Sequence, residues 1–187
     1  MLDLGAGTGR VQRHLKNERP GLRLIGIEPV AELRKVGYAN GLAESELIAG
    51  DATNLPFEDG SFDLCCEFGV LHHVRRPEQM IGEMLRVAKR AIFISDSNNF
   101  GQGSLPSRML KQSLNALGLW PIADFLKTGG KGYTLSEGDG LAYSYSVYNN
   151  YEQIAQSCRI HILNTGDAHI NPYRSASHVA LLGIKKS

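Results

Sequence analysis

The chain reads as an α/β domain built on a doubly wound, mostly parallel sheet, and three observations predict it. Residues 1–19 pass from an apolar strand through a glycine-rich turn into helical spacing. From there to residue 95, short apolar runs alternate with helical stretches, the pattern of right-handed crossovers between parallel strands. Two later apolar runs flank a connection containing Gly, Asn and Pro, which predicts a closing hairpin and one antiparallel strand, seven strands in all.

Each element has its own signal. Met1, Leu2 and Leu4 around Asp3 end the first strand, Gly5, Gly7 and Gly9 turn the chain, and Arg10 to Arg19 is helical. Leu22 to Glu28 is the second strand, carrying Leu24, Ile25 and Ile27 and ending on a carboxylate before Pro29. Val30 to Asn40 is a helix closed by Gly41. Glu46 to Ala52 is a short third strand, and Phe62 to Gly69 a fourth, entered through the turn residues Glu58 to Ser61. A helix from Pro77 to Lys89 aligns Met80, Met84, Leu85 and Val87, and the unbroken apolar run Ala91 to Ser95 is a strand buried on both faces. Residues 97–148 interrupt the rhythm. A helix is expected within Ser104 to Leu119, loops at Lys127 to Gly132 and Ser136 to Gly140, and Tyr133, Tyr143, Tyr145 and Tyr148 cluster beside them. Asn150 to Cys158 is the last helix, and Arg159 to Leu163 with His178 to Ile184 form the hairpin.

Composition narrows the function. At 187 residues the chain is one domain's worth, enough to bury roughly 70% of the surface its unfolded form exposes. Twenty Lys and Arg against nineteen Asp and Glu leave a net charge of +1 with no basic run, which speaks against nucleic-acid or anionic-membrane partners. No apolar stretch approaches the ~20 residues of a membrane span. Three cysteines, two of them adjacent, fit free thiols in a reducing compartment, so the expected location is the cytoplasm.

The glycine turn raises the question of its ligand. Glycine reaches positive φ without steric cost and presents no Cβ to a molecule lying against the backbone. A dinucleotide fingerprint, counted from Gly5, wants a third glycine where Arg10 stands. The spacing here is Gly-x-Gly-x-Gly with Asp3 two residues upstream, which resembles motif I of the class I S-adenosylmethionine-dependent methyltransferases. Asn54 to Phe57, Phe62-Asp63 and Val70-Leu-His-His-Val74 resemble the type 11 branch of that family.

The resemblance is specific over residues 1 to about 96 and implies a Rossmann-like seven-stranded sheet whose last strand is antiparallel. It divides a single domain 1–187 into a cofactor-binding core (1–96), an insertion that sets substrate specificity (97–148), and a closing helix and hairpin (149–187). The family's N-terminal cap helices are expected to be absent, because the sequence begins inside the first strand. The implied cofactor is S-adenosyl-L-methionine, the product S-adenosyl-L-homocysteine, and the partner a small-molecule acceptor.

The resemblance also implies roles. Gly5, Ala6, Gly7 and Gly9 would cradle the cofactor, and Asp3 would meet its ammonium group. Glu28, ahead of Pro29, would accept the ribose hydroxyls in charge-assisted hydrogen bonds. Asp51 and Ala52 would contact the adenine, and the backbone of Glu67 would face the methionyl end. His72 or His73 is the candidate general base, since histidine titrates near neutrality; the alternative for either is a structural histidine beside the cofactor.

Three further constellations were weighed. Cys65-Cys66 reads as core thiols, and Asn171-Pro-Tyr173 as a turn. Asp96 and Asn98, with Glu67 as a third group, echo the metal ligands of catechol-type O-methyltransferases, but no metal is expected. The rival functions are an NAD(P)-dependent oxidoreductase and a catalytically inactive relative that binds the cofactor.

Overall fold

In the computed structural model, which describes residues 1–138, 140–166 and 169–186, the opening apolar run is strand β1 (Leu2–Leu4), buried throughout. After the glycine turn come α1 (Arg10–Glu18), β2 (Ile25–Ile27), α2 (Ala31–Ala39), β3 (Leu47–Ile48) and β4 (Phe62–Phe68). Helix α3 (Pro77–Val87) has its proline in the first turn, where a missing N–H costs no hydrogen bond, and leads straight into β5 (Ala88–Ser97). The insertion holds α4 (Leu105–Ala116), α5 (Trp120–Lys127) and a small hairpin of β6 (Thr134–Ser136) with β7 (Gly140–Ala142). The chain closes with α6 (Tyr151–Ser157), β8 (Cys158–Asn164) and β9 (His178–Lys185).

Seven strands form one Rossmann-like sheet in the order β3-β2-β1-β4-β5-β9-β8. The first five pair in parallel, and β9 lies antiparallel between β5 and β8. The expected antiparallel last strand is therefore present, inserted one place in from the edge.

Register assigns side chains to the two faces of the sheet. Leu2 aligns with Ile25 and Cys65, and Leu4 with Ile27 and Glu67; this face meets α3 and α6 through Met80, Met84 and Ile154 in one buried cluster. Asp3 aligns with Gly26 and Cys66 on the other face. There a Cβ on Gly26 would collide with the Gln12 side chain of α1, so glycine lets that helix sit close. Gly183 of β9 serves the first face: a Cβ there would lie 3.1 Å from Ile92 and 3.2 Å from Cys158 and Ile154. Helices thus cover both faces, as a mostly parallel sheet requires.

Several expected elements differ in extent. β2 and β3 are shorter than the runs Leu22 to Glu28 and Glu46 to Ala52, because only two or three residues of each find a ladder partner. β5 is longer, since β9 pairs with it from Ala91 to Ser97. Gly118, at φ 70, ends the first insertion helix, and α5 follows, which the periodicity did not predict. The expected loop Ser136 to Gly140 is the turn of the β6–β7 hairpin; its Asp139 lies outside the described residues, as do Asp167 and Ala168 of the closing connection and Ser187. Among the described residues no helix is long and apolar enough to cross a membrane.

Candidate active site

The sheet order creates the site. From β1 the chain moves outward through β2 and β3, then returns to the other side of β1 for β4. The carboxyl ends of strands at such a reversal leave a crevice where open α/β sheets bind ligands. The glycine turn stands there. Gly5, Gly7 and Gly9 have φ of 67°, 56° and 69°, and the Ala6 N–H donates to the Ile27 carbonyl at 2.9 Å, tying the turn to β2. A Cβ at Gly7 would meet nothing within 4 Å, whereas one at Gly5 would fall 2.5 Å from a Val70 methyl. Gly5→Ala is therefore expected to cost about 1–3 kcal/mol in a urea titration, from left-handed strain plus overpacking; an unchanged midpoint would contradict this account.

Two buried carboxylates flank the turn. Glu28 is 5% exposed, and its two oxygens accept from the Gly7 and Val30 N–H groups at 2.9 Å each, so one side chain braces the turn and the start of α2. Asp3 is 2% exposed, and its Oδ2 has no hydrogen-bond partner. Burial pushes its carboxyl up to about 7; a weak hydrogen bond from Cys66 opposes this and the Glu28 charge adds to it. Pro29 is exposed, and its carbonyl accepts from Arg34. Asp51 is also exposed; its Oδ1 accepts from the Thr53 N–H and hydroxyl, an Asx turn that places Ala52 half-buried against the core. Arg86 and Glu83 of α3 hold the following Asn54 to Phe57 segment through its backbone.

Past β4 the chain makes a single tight helical turn, Leu71–His73, over two more buried carboxylates. Glu67 and Asp96 are both fully buried. Glu67 accepts from the Val70 and Ser95 N–H groups at 2.9 Å. Asp96 accepts from the Leu71 N–H at 2.7 Å, from the Ser97 N–H, and faces His72 Nδ1 at 2.6 Å. Two carboxylates this close do not both ionise cheaply. Burial and the Asp96 charge raise Glu67 well above the ordinary carboxylate range. For Asp96, burial also pushes upward, but His72 and the backbone donors outweigh it and hold Asp96 below that range. The two environments thus push in opposite directions, favouring the proton on Glu67 and the charge on Asp96 beside His72.

The two histidines have separate settings. His72 lines a cavity of about 240 Å³ together with Ser97, Asn99, Gln102, Lys127, Thr134, Ala142 and residues 143–145. His73 directs Nδ1 to the Leu141 carbonyl at 2.7 Å and lies 3.9 Å from the His72 ring, centre to centre. The Tyr143 N–H donates to the His72 carbonyl at 2.8 Å, so β7 and the histidine turn are stitched together at two points. The insertion tyrosines divide: Tyr143 and Tyr145 line the cavity, while Tyr148 stacks on Tyr173.

Sequence reasoning linked Asp96 to a metal echo and missed its pairing with His72. The available signal was a carboxylate at the end of the strand beside the histidine motif. Asn98 spends its amide on the carbonyls of Pro172, Tyr173 and Ala176 and its oxygen on Ser146, pinning the 171–177 connection to β5. Among the described residues, no group of three or more His, Cys, Asp or Glu is placed to hold a metal. Cys65 and Cys66 are buried, free thiols held above their ordinary range by desolvation, the opposite of an activated nucleophile. Asn171 caps a turn through the N–H groups of Tyr173 and Arg174.

The fold is that of the class I S-adenosylmethionine-dependent methyltransferases, and a family described as "Methyltransferase domain" matches residues 2–93. That match covers just under half of the chain. It is 39% identical over 93 residues to norajmaline N-methyltransferase of Rauvolfia serpentina, covering 47% of this chain and 32% of the relative. It is 38% identical over 91 residues to demethylmenaquinone methyltransferase of Thermotoga maritima, covering 48% and 39%. The match therefore spans only 32–39% of these relatives' length. A solved Thermotoga maritima methyltransferase, titled a possible histamine N-methyltransferase, superposes with a TM-score of 0.62 at 20% identity, over 99% of this chain and 81% of that one. A Mesorhizobium loti S-adenosylmethionine-dependent methyltransferase does so at 0.65 and 15% identity, over 98% and 90%.

Proposed function

We propose that the chain transfers the sulfonium methyl group of S-adenosylmethionine to an O, N or C nucleophile on a small acceptor, in the cytoplasm. The observation that carries this reading is Asp3, a buried carboxylate with an unpartnered oxygen beside a glycine turn in a methyltransferase domain. An orphaned buried acceptor costs about 1–3 kcal/mol, so it is suited to a ligand that brings the missing donor. The cofactor's ammonium group is such a donor. The open side of Gly7 and the carboxylate of Glu28 fit the same ligand.

When bound, S-adenosylmethionine supplies an electrophilic methyl group on a positively charged sulfur. This chain's residues do the rest. Glu28 would accept the ribose hydroxyls with the lone pairs that Gly7 and Val30 leave, Asp51 and Ala52 would meet the adenine edge, and Asp3 would hold the ammonium. Asp96 orients His72, whose remaining ring nitrogen would take the proton of a hydroxyl or amine acceptor as it attacks. His73 and Glu67 are positioning residues for that pair. Fixing the nucleophile in line with the methyl group supplies a further share of the rate. The named relatives differ in acceptor, so the acceptor is sought in the cavity beside His72.

Titration calorimetry with S-adenosylmethionine tests the reading. Binding by the intact chain is expected, with Glu28→Ala weakening it about 10-fold to 100-fold, the worth of charge-assisted hydrogen bonds. Absent binding, or undiminished binding by the variant, would sink it. Binding without methyl transfer across a broad acceptor panel would favour the inactive relative.

A further inference from the structure

The cavity beside His72 has a charge imbalance that the methyl-transfer reading does not use. Its volume of about 240 Å³ is below the usual range for ligand pockets, so it suits a small molecule. Its side chains are mainly polar, and among the described residues that line it none is Asp or Glu. Lys127 lines it directly. A second ammonium stands behind the wall: Lys111 donates to the carbonyls of Asn99 and Gln102, both lining residues. Its position near Lys127 and Arg108 is reflected in a lowered pKa, caused first by burial and then by those two cations.

The carboxylates nearby are already committed. Asp124 lies 4.0 Å from Lys127, at the limit of an ion pair, and the same oxygen accepts the Ser144 hydroxyl. Asp96 is fully buried behind His72 and engaged by it and by three backbone N–H groups. Among the described residues, two ammonium groups thus bear on one small cavity, and the carboxylate beside Lys127, Asp124, is already half-committed. A neutral acceptor would leave this field unused.

We propose that the methyl acceptor carries an anionic group, a carboxylate or phosphate-like oxyanion, which seats at Lys127 while its hydroxyl or amine faces His72. This deepens the methyl-transfer reading and rests on it for the acceptor's role, but the anion preference is a property of the cavity and can be measured without the cofactor. Lys127 is half-exposed, so the preference is expected to be moderate and to fade with salt.

The test is calorimetry on the full chain, with and without S-adenosylhomocysteine, using matched probes: para-hydroxybenzoate against para-hydroxybenzamide, and para-aminobenzoate against para-aminobenzamide. At least one acid is expected to bind about tenfold tighter than its amide at low salt. That advantage should vanish in Lys127→Ala, survive in Lys127→Arg, and be untouched by Lys131→Ala, an exposed lysine of the same insertion outside the cavity wall. Equal binding of acid and amide in both pairs, no binding by any acid, or an advantage that persists in Lys127→Ala would overturn the proposal. If S-adenosylhomocysteine fails to bind while the acid preference at Lys127 holds, the methyl-transfer reading fails and the anion site stands.

Discussion

Asp3→Asn is expected to stabilise the protein at pH 8 while weakening S-adenosylmethionine binding at least about 30-fold. Both effects have one cause. In the folded chain burial, with little to solvate its charge, pushes the Asp3 carboxyl up to about 7 from an ordinary value of 3.8. The folded state therefore holds a proton that the unfolded state has lost once pH passes 3.8. Stability falls as pH rises through that window and levels off above about 7. That difference corresponds to roughly 4 kcal/mol at the upper bound. Asparagine carries no charge to bury, so it should recover about 1–3 kcal/mol at pH 8 and much less at pH 5. For a chain of this size that is a rise of several degrees in Tm. The same carboxylate is the counter-charge for the cofactor's ammonium, and removing one partner of a buried charge pair costs about 2–5 kcal/mol of binding. Below pH 7, wild-type binding should also release a proton, which calorimetry in buffers of different ionisation enthalpy would register. A variant that is less stable at pH 8 and binds normally would remove Asp3 from the cofactor site.

His72→Ala is expected to lower kcat about 10²-fold to 10³-fold, the ordinary worth of a positioned general base, with cofactor affinity unchanged. The expectation rests on the 2.6 Å contact between His72 Nδ1 and the buried Asp96, which fixes the ring, and on the place of His72 in the cavity wall. His73→Ala is a different case. Its Nδ1 holds the Leu141 carbonyl, so its loss should loosen β7 and raise the acceptor KM more than it lowers kcat. Full turnover by His72→Ala would retire the base role; equal behaviour of the two variants would erase the distinction drawn between them.

The core of the fold was legible because its signals are local. A glycine turn between an apolar strand and helical spacing needs nothing distant to be recognised, and residues 1–95 follow that rule element by element. The insertion was less legible. The helix expected within Ser104 to Leu119 is α4, but α5 was not foreseen: no residue of either is buried, and apolar residues such as Ile122, Phe125 and Leu126 stand exposed where packing would have marked a face. The β6–β7 hairpin is short and mostly exposed, without the alternation that marks a strand. The carboxylates at strand ends were readable as a cofactor set. The pairing of Asp96 with His72 was not, because it spans 24 residues and depends on β4 and β5 lying side by side, with Phe68 opposite Ser95. Likewise the two closing runs announced a hairpin, but their spacing did not say which of them would lie against β5.

That last detail bears on how the molecule comes to be made. The strand that seals the open flank of β5 is encoded after the one that ends up outside it. During synthesis from the N-terminus, β5 can pair with β4 but waits with its other edge unpaired, and β8 emerges with no neighbour to join, until residues 178–185 clear the ribosome. An unprotected, apolar strand is a template for pairing between nascent chains. The interval between residues 97 and 185 is thus the window in which this chain has most need of a chaperone, and a stalled ribosome there would leave its most adhesive surface uncovered.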